Sequence, residues 1–198
     1  MDNNNDDLRH IRSMMERSTK FLSLSGFSGV AAGVSALIGA YIAYLMLYKD
    51  FRLTGVLLID LFLDAAFVII LATSTGLYFC FRKAKKESSS FWMPATKQII
   101  KDFMIPMIVG GLFCLLLIYH QSSHFVASTM LIFYGLALIY AGARTYHDIK
   151  ILGACEIVLG LLAGLFTHNG LIFWTFGFGV MHIIYGIVMY HKYERNRE

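Results

Sequence analysis

The sequence predicts an all-α, polytopic membrane protein: a bundle of six transmembrane helices preceded by an amphipathic interfacial helix. Three observations carry that class. Of the 198 residues, 57% are hydrophobic and only 15% are charged. Mean hydropathy is +0.61, which places the chain with membrane proteins before any motif is read. The apolar residues also come in blocks near the length of a bilayer-crossing helix, roughly 20 residues, with short charged stretches between them. One oversized soluble core would not be punctuated in this way.

The blocks fall at about 23–48, 53–81, 103–120, 124–143, 150–167 and 170–191. The third and fifth are the shortest, and the second is long enough to tilt. Residues 1–22 are expected to be a cytoplasmic tail, 23–191 the transmembrane domain, and 192–198 a second cytoplasmic tail. No secretory signal is expected, because the polar, acidic opening MDNNNDD precedes an apolar block far too long for a signal core. Cys80, Cys114 and Cys155 lie in or at the ends of blocks without paired spacing, so they read as small packing residues.

Within the tail, residues 6–22 (DDLRHIRSMMERSTKFL) have helical amphipathic spacing. Leu8, Ile11, Met15 and Leu22 share one side, and Arg9, Arg12, Glu16 and Lys20 the other. Such a helix suits the inner leaflet; the sharper reading is a docking surface for a cytoplasmic protein partner at residues 6–22. Small residues then recur through the spans: Ser25, Gly29 and Gly33; Ala32, Ala36 and Ala40; Gly135 and Gly142; Gly153, Gly160 and Gly164; Gly170 and Gly177; Gly179 and Gly186. Small faces let helices approach closely in lipid. They serve packing within the bundle or homo-oligomer formation.

Lys and Arg set the orientation. With six spans, the side holding both tails and the second and fourth loops collects fifteen basic residues, against two (Lys49 and Arg52) on the other. Both termini are therefore expected inside. The net charge of +4 fits a basic rim on the lipid bilayer, and no nucleic-acid partner is implied. The loops are too short to hold a soluble domain, so any chemistry belongs in the bundle or at its mouths.

Four ionisable residues fall well inside the blocks: Asp60, Asp64, Glu156 and His182. Counting from the predicted outer ends at 1.5 Å per residue puts Asp64, Glu156 and His182 roughly 17 Å deep, close to the midplane. Asp60 lies one turn nearer the outside on the same helix face as Asp64. Carboxylates facing lipid are costly, so these groups should turn inward and meet. Three acids and an imidazole suit proton or ion handling. Asp64, Glu156 and His182 could instead hold a divalent transition metal, although no ligand motif of known spacing is present and no cofactor is otherwise predicted. A polar core that fixes helix register is the third reading.

Two secondary sets stand at the mouths. His120, His124 and His168 fall on the outer side and invite pH sensing or metal binding; imidazoles at helix ends are more commonly interfacial. On the inner side, Arg144, His147 and Asp148 share one loop, and the His–Asp neighbours invite a catalytic reading. No serine or cysteine nucleophile accompanies them in a known motif, and a catalytic set is unknown.

Residues 11–33, IRSMMERSTKFLSLSGFSGVAAG, resemble the opening of a family of small bacterial six-span inner-membrane proteins of uncharacterised function, in which a basic amphipathic start leads into a Ser/Gly-rich first span. The resemblance is limited to the N-terminal helix and first span. It implies a multi-pass location in the bacterial cytoplasmic membrane and no functional residues. Function is thus expected to be that of a small transporter-like or proton-responsive membrane protein. A membrane-embedded metalloenzyme and a non-catalytic regulatory membrane subunit are the alternatives.

Overall fold

The computed structural model describes residues 25–86 and 94–195. The predicted interfacial helix at 6–22 lies outside the described residues. Among those residues every regular element is helical: α1 (Gly26–Tyr48), α2 (Leu57–Lys86), α3 (Pro94–Tyr119), α4 (Val126–Ala141), α5 (His147–Leu165) and α6 (170–193). The last is one continuous rod, α-helical over Gly170–Trp174, π-helical over Thr175–Met181 and α-helical again over His182–Tyr193. Short 3₁₀ turns at Ser123–Phe125, Gly142–Arg144 and Thr167–Asn169 join α3 to α4, α4 to α5 and α5 to α6.

Five of the rods are long and apolar enough to cross a membrane: Gly26–Tyr48, Leu57–Lys86, Thr96–Tyr119, Ser123–Arg144 and Thr167–Tyr193. These make a multi-pass membrane protein. The helix outside these five is α5, at 19 residues with a polar start at HDIK.

Packing divides the rods into inner and outer ones. α1 lies between α2 and α6, and α4 lies between α3 and α5; α6 also touches α4 and α5, which joins the two groups. α2 and α3 stand at the flanks with most of their surface uncovered. Phe62, Leu63, Phe67, Ile69 and Ile70 of α2 point outward, as do Ile105, Ile108, Val109, Leu112 and Leu116 of α3. In water such a surface would drive aggregation. In hydrocarbon it is the ordinary outside of a helix.

Small residues set both close crossings. A methyl at Gly26 would fall 2.5 Å from the Gly186 carbonyl oxygen, and one at Gly33 would fall 2.6 Å from that of Gly179. α1 and α6 therefore meet backbone to backbone. α4 and α5 repeat the arrangement: a methyl at Gly135 would lie 2.5 Å from Gly153 O, and the Ser128 hydroxyl donates to Gly160 O at 2.6 Å. Gly26, Gly33, Gly135 and Gly160 are thus met by the chain's own helices.

Candidate functional site: a buried Glu–His–Tyr chain

Glu156 is the tenth of the 19 residues of α5. At 1.5 Å per residue it stands about 14 Å from either helix end. It shares the inward stripe Ile149, Leu152, Gly153, Glu156, Gly160 and Ala163, all buried, so spacing alone turns its side chain into the bundle. Its exposure is 0%. Across from it is Gly177 of α6, where any added side-chain carbon would strike the carboxyl oxygen Oε2 and Leu131. Glycine at this position makes the room that the carboxyl occupies.

His182 opens the second α-helical part of α6 and is 5% exposed. It too sits on an inward stripe, with Gly179, Gly186 and Met189. The π-helical stretch just before it widens the helix and changes which residues face inward, a feature common at functional sites. The His182 Nδ1 lies 3.0 Å from the Gly177 carbonyl oxygen. A carbonyl only accepts, so Nδ1 carries a hydrogen. In the neutral ring, Nε2 is then an acceptor, and it receives the Tyr134 hydroxyl of α4 at 2.7 Å. Glu156 Oε1 stands 3.5 Å from Nδ1, within ion-pair reach and long for a hydrogen bond.

These contacts bring Glu156, His182 and Tyr134 together from three helices, with a hydrogen bond between His182 and Tyr134 and an ion-pair distance between His182 and Glu156. Aromatic rings close around it: Tyr134 meets Phe178 at 4.9 Å and Phe103 at 5.8 Å between centroids, and Trp174 meets Phe178 at 5.0 Å. Both Glu156 oxygens are buried without a hydrogen-bond partner among the described residues. Leaving a buried carboxyl without a donor is expensive. A proton or a cation is the species that would satisfy it.

The structure divides the expected four-residue cluster. Glu156 and His182 meet. Asp60 does not join them, because α2 begins at Leu57 and not near Leu53, which leaves Asp60 in the first turn. There the carboxylate is used up by its own loop: it accepts from the backbone N–H of Leu53 and of Thr54, both at 3.0 Å, and from the Thr54 hydroxyl at 2.7 Å. Asp64 lies beside Gly39 of α1, with Oδ1 buried and without a hydrogen-bond partner. Among the described residues, no three His, Cys, Asp or Glu side chains gather as a metal would require.

Protein-family models, curated proteins and solved structures give no match to the chain.

At the end of the bundle formed by the α3–α4 and α5–α6 turns, His120, His124 and His168 are all exposed. His120 rests against Tyr119 and His124 against Phe125; the 3₁₀ turns bearing His124 and His168 touch. At the opposite end the predicted trio separates. Arg144 pairs with Asp102 of α3 at 3.3 Å, and His147 is exposed. Asp148 turns to α6, accepting from Lys192 at 2.9 Å and from the Tyr193 hydroxyl at 2.6 Å. Burial by itself would raise the Asp148 carboxyl, but these hydrogen bonds and the Lys192 charge outweigh it and hold the group below its ordinary value.

Tyr134 was not singled out by sequence reasoning. The usable signal was its position: it is a hydroxyl-bearing aromatic in the middle of the fourth apolar block, away from the interfaces where tyrosines ordinarily anchor.

Proposed function

We propose that this is a small transporter-like, proton-responsive protein of the bacterial cytoplasmic membrane, with six spans and both termini inside. In this reading Glu156 takes up and releases a proton through His182 and Tyr134. The observation that carries it is the Glu156 carboxyl, fully buried, both oxygens without a hydrogen-bond partner, 3.5 Å from an imidazole that is itself hydrogen-bonded to a phenol. Ionisable groups inside membrane helices mark ion pathways and proton relays by default. An imidazole with one ring nitrogen toward an acid and the other toward a hydroxyl can pass a proton by exchanging tautomers. The orientation is supported by the excess of Lys and Arg on one side. The bacterial location is supported by the resemblance of residues 11–33.

The test is proton movement into proteoliposomes loaded with a pH-sensitive dye, driven by an imposed pH difference. Wild-type protein should carry protons faster than protein-free vesicles. Glu156→Gln should lower that rate by about tenfold or more, as removal of a positioned proton carrier does. The exposed His168→Ala should leave it unchanged. Equal rates for wild type and Glu156→Gln would contradict the proposal.

A further inference from the structure

The C-terminal turn of α6 makes a second polar knot, far from Glu156. Glu194 directly follows the last residue of α6, and its backbone N–H still bonds to Tyr190 O at 3.0 Å. Its side chain is therefore placed by the helix. The carboxylate accepts from the backbone N–H of Gly26, the first residue of α1, at 2.6 Å, and from the Ser25 hydroxyl at 3.5 Å. It also pairs with Lys83, near the end of α2, at 3.3 Å. Lys83 is buried, and its ammonium lies 5.8 Å from the centre of the Tyr146 ring. The two residues before Glu194 hold α5 by Lys192 and Tyr193 on Asp148.

The chemistry of each contact favours a carboxylate here. The first N–H groups of a helix have no partner within it, and the helix dipole makes that end attractive to an anion. A buried ammonium is favoured by a carboxylate within ion-pair reach. One side chain meets both needs at once, using charge-assisted hydrogen bonds. Beneath this knot lies an apolar layer of Leu138, Tyr146, Ile149, Leu152 and Met189. Tyr134, which holds His182, and Tyr193, which precedes Glu194, both pack against this layer.

We infer that Glu194 is a latch whose carboxylate pins α1, α2 and α6 together at the end of the bundle holding the C-terminus, and whose release opens that end. Under the proposed orientation this is the cytoplasmic mouth, and only that designation, with its consequence for proton access to His182, rests on the proposed function. The joining of three helices through one carboxylate stands on the contacts themselves.

Cys80 provides a native reporter. It is buried, three residues before Lys83 and one turn deeper on α2. In a Cys114→Ser, Cys155→Ser background it is the one cysteine left, and its rate of reaction with a water-soluble maleimide reads opening of this end. Glu194→Gln keeps the volume and removes the charge. It should raise the labelling rate by about tenfold, the factor lost with one charge-assisted hydrogen bond. Asp50→Asn, on the exposed loop at the opposite end, should leave the rate at that of the parent. An unchanged rate in Glu194→Gln, or an equal rise in Asp50→Asn, would overturn the latch. Should Glu194→Gln fail to fold, hydrogen exchange of the wild-type Gly26 amide decides. Slow exchange is predicted for this first helical residue, and exchange as fast as a free amide would overturn the proposal. Neither readout follows proton movement, so failure of the latch and failure of the proton site are separate results.

Discussion

Tyr134 shows how much one atom contributes to the site. Its hydroxyl meets the buried His182 at Nε2, at 2.7 Å. Tyr134→Phe keeps the ring, its contacts with Phe103 and Phe178, and the helix face. It leaves a buried imidazole nitrogen without a partner, which costs about 1–3 kcal/mol. The expected outcome is a lower thermal unfolding midpoint together with slower proton entry in the proteoliposome assay. Loss of stability with unchanged proton movement would reduce Tyr134 to a packing role. Glu156 and His182 were legible in the sequence because apolar block lengths set depth and the i, i+3, i+7 stripes of Gly153, Glu156 and Gly160 and of Gly179, His182 and Gly186 set facing. Tyr134 was not, because an aromatic residue in an apolar block looks like packing until its neighbour is known.

At the scale of the element, the loop between α1 and α2 explains why Asp60 was misplaced. Apolarity resumes at Leu53, so composition alone starts the helix there. Turn chemistry delays it. Asp50 and Gly55 both adopt positive φ, at 55° and 85°, conformations that aspartate and glycine tolerate best. Asp60 then folds back on Leu53 and Thr54. The π-helical stretch of α6 was likewise hidden: TFGFGVM falls inside the sixth apolar block with nothing to set it apart from an ordinary helix. The helix crossings give a sharper prediction. Gly186→Leu would drive a side chain into Val30 and the Gly26 carbonyl, both within 2.6 Å of a Cβ at that position. Overpacking of this kind costs on the order of 1–3 kcal/mol. Gly111 has nothing within 4 Å of the corresponding point, so Gly111→Leu should leave the unfolding midpoint unchanged. Comparing the two in detergent tests whether the close approach of α1 and α6 is as tight as described.

For the whole molecule, the all-helical, multi-pass character was legible because lipid forces it: apolar blocks of this length have few other solutions. The packing order was not legible, since it depends on which small faces meet. The fold also has an acid limit that follows from one carboxyl at the start of α5. Asp148 is held below its ordinary value by Tyr193 and Lys192. A carboxyl lowered in the folded state adds stability above its unfolded value, about 3.9, and that stability fades as pH falls through the lower folded value. Thermal unfolding followed from about pH 5 down to pH 2 should show wild type losing stability, with Asp148→Asn less stable at the upper end and less sensitive to acid. Parallel curves for the two proteins would show that the Asp148 contacts add nothing to the fold.

The central claim is that Glu156 exchanges a proton with the medium in concert with His182. It is tested most directly by infrared difference spectra of the reconstituted protein on acidification. The prediction is a carboxylic acid carbonyl band that appears with acid, is absent in Glu156→Gln, and is displaced in His182→Gln. A spectrum in which Glu156→Gln shows every carboxyl band of the wild type would contradict the account, and Glu156 would then be a buried packing group.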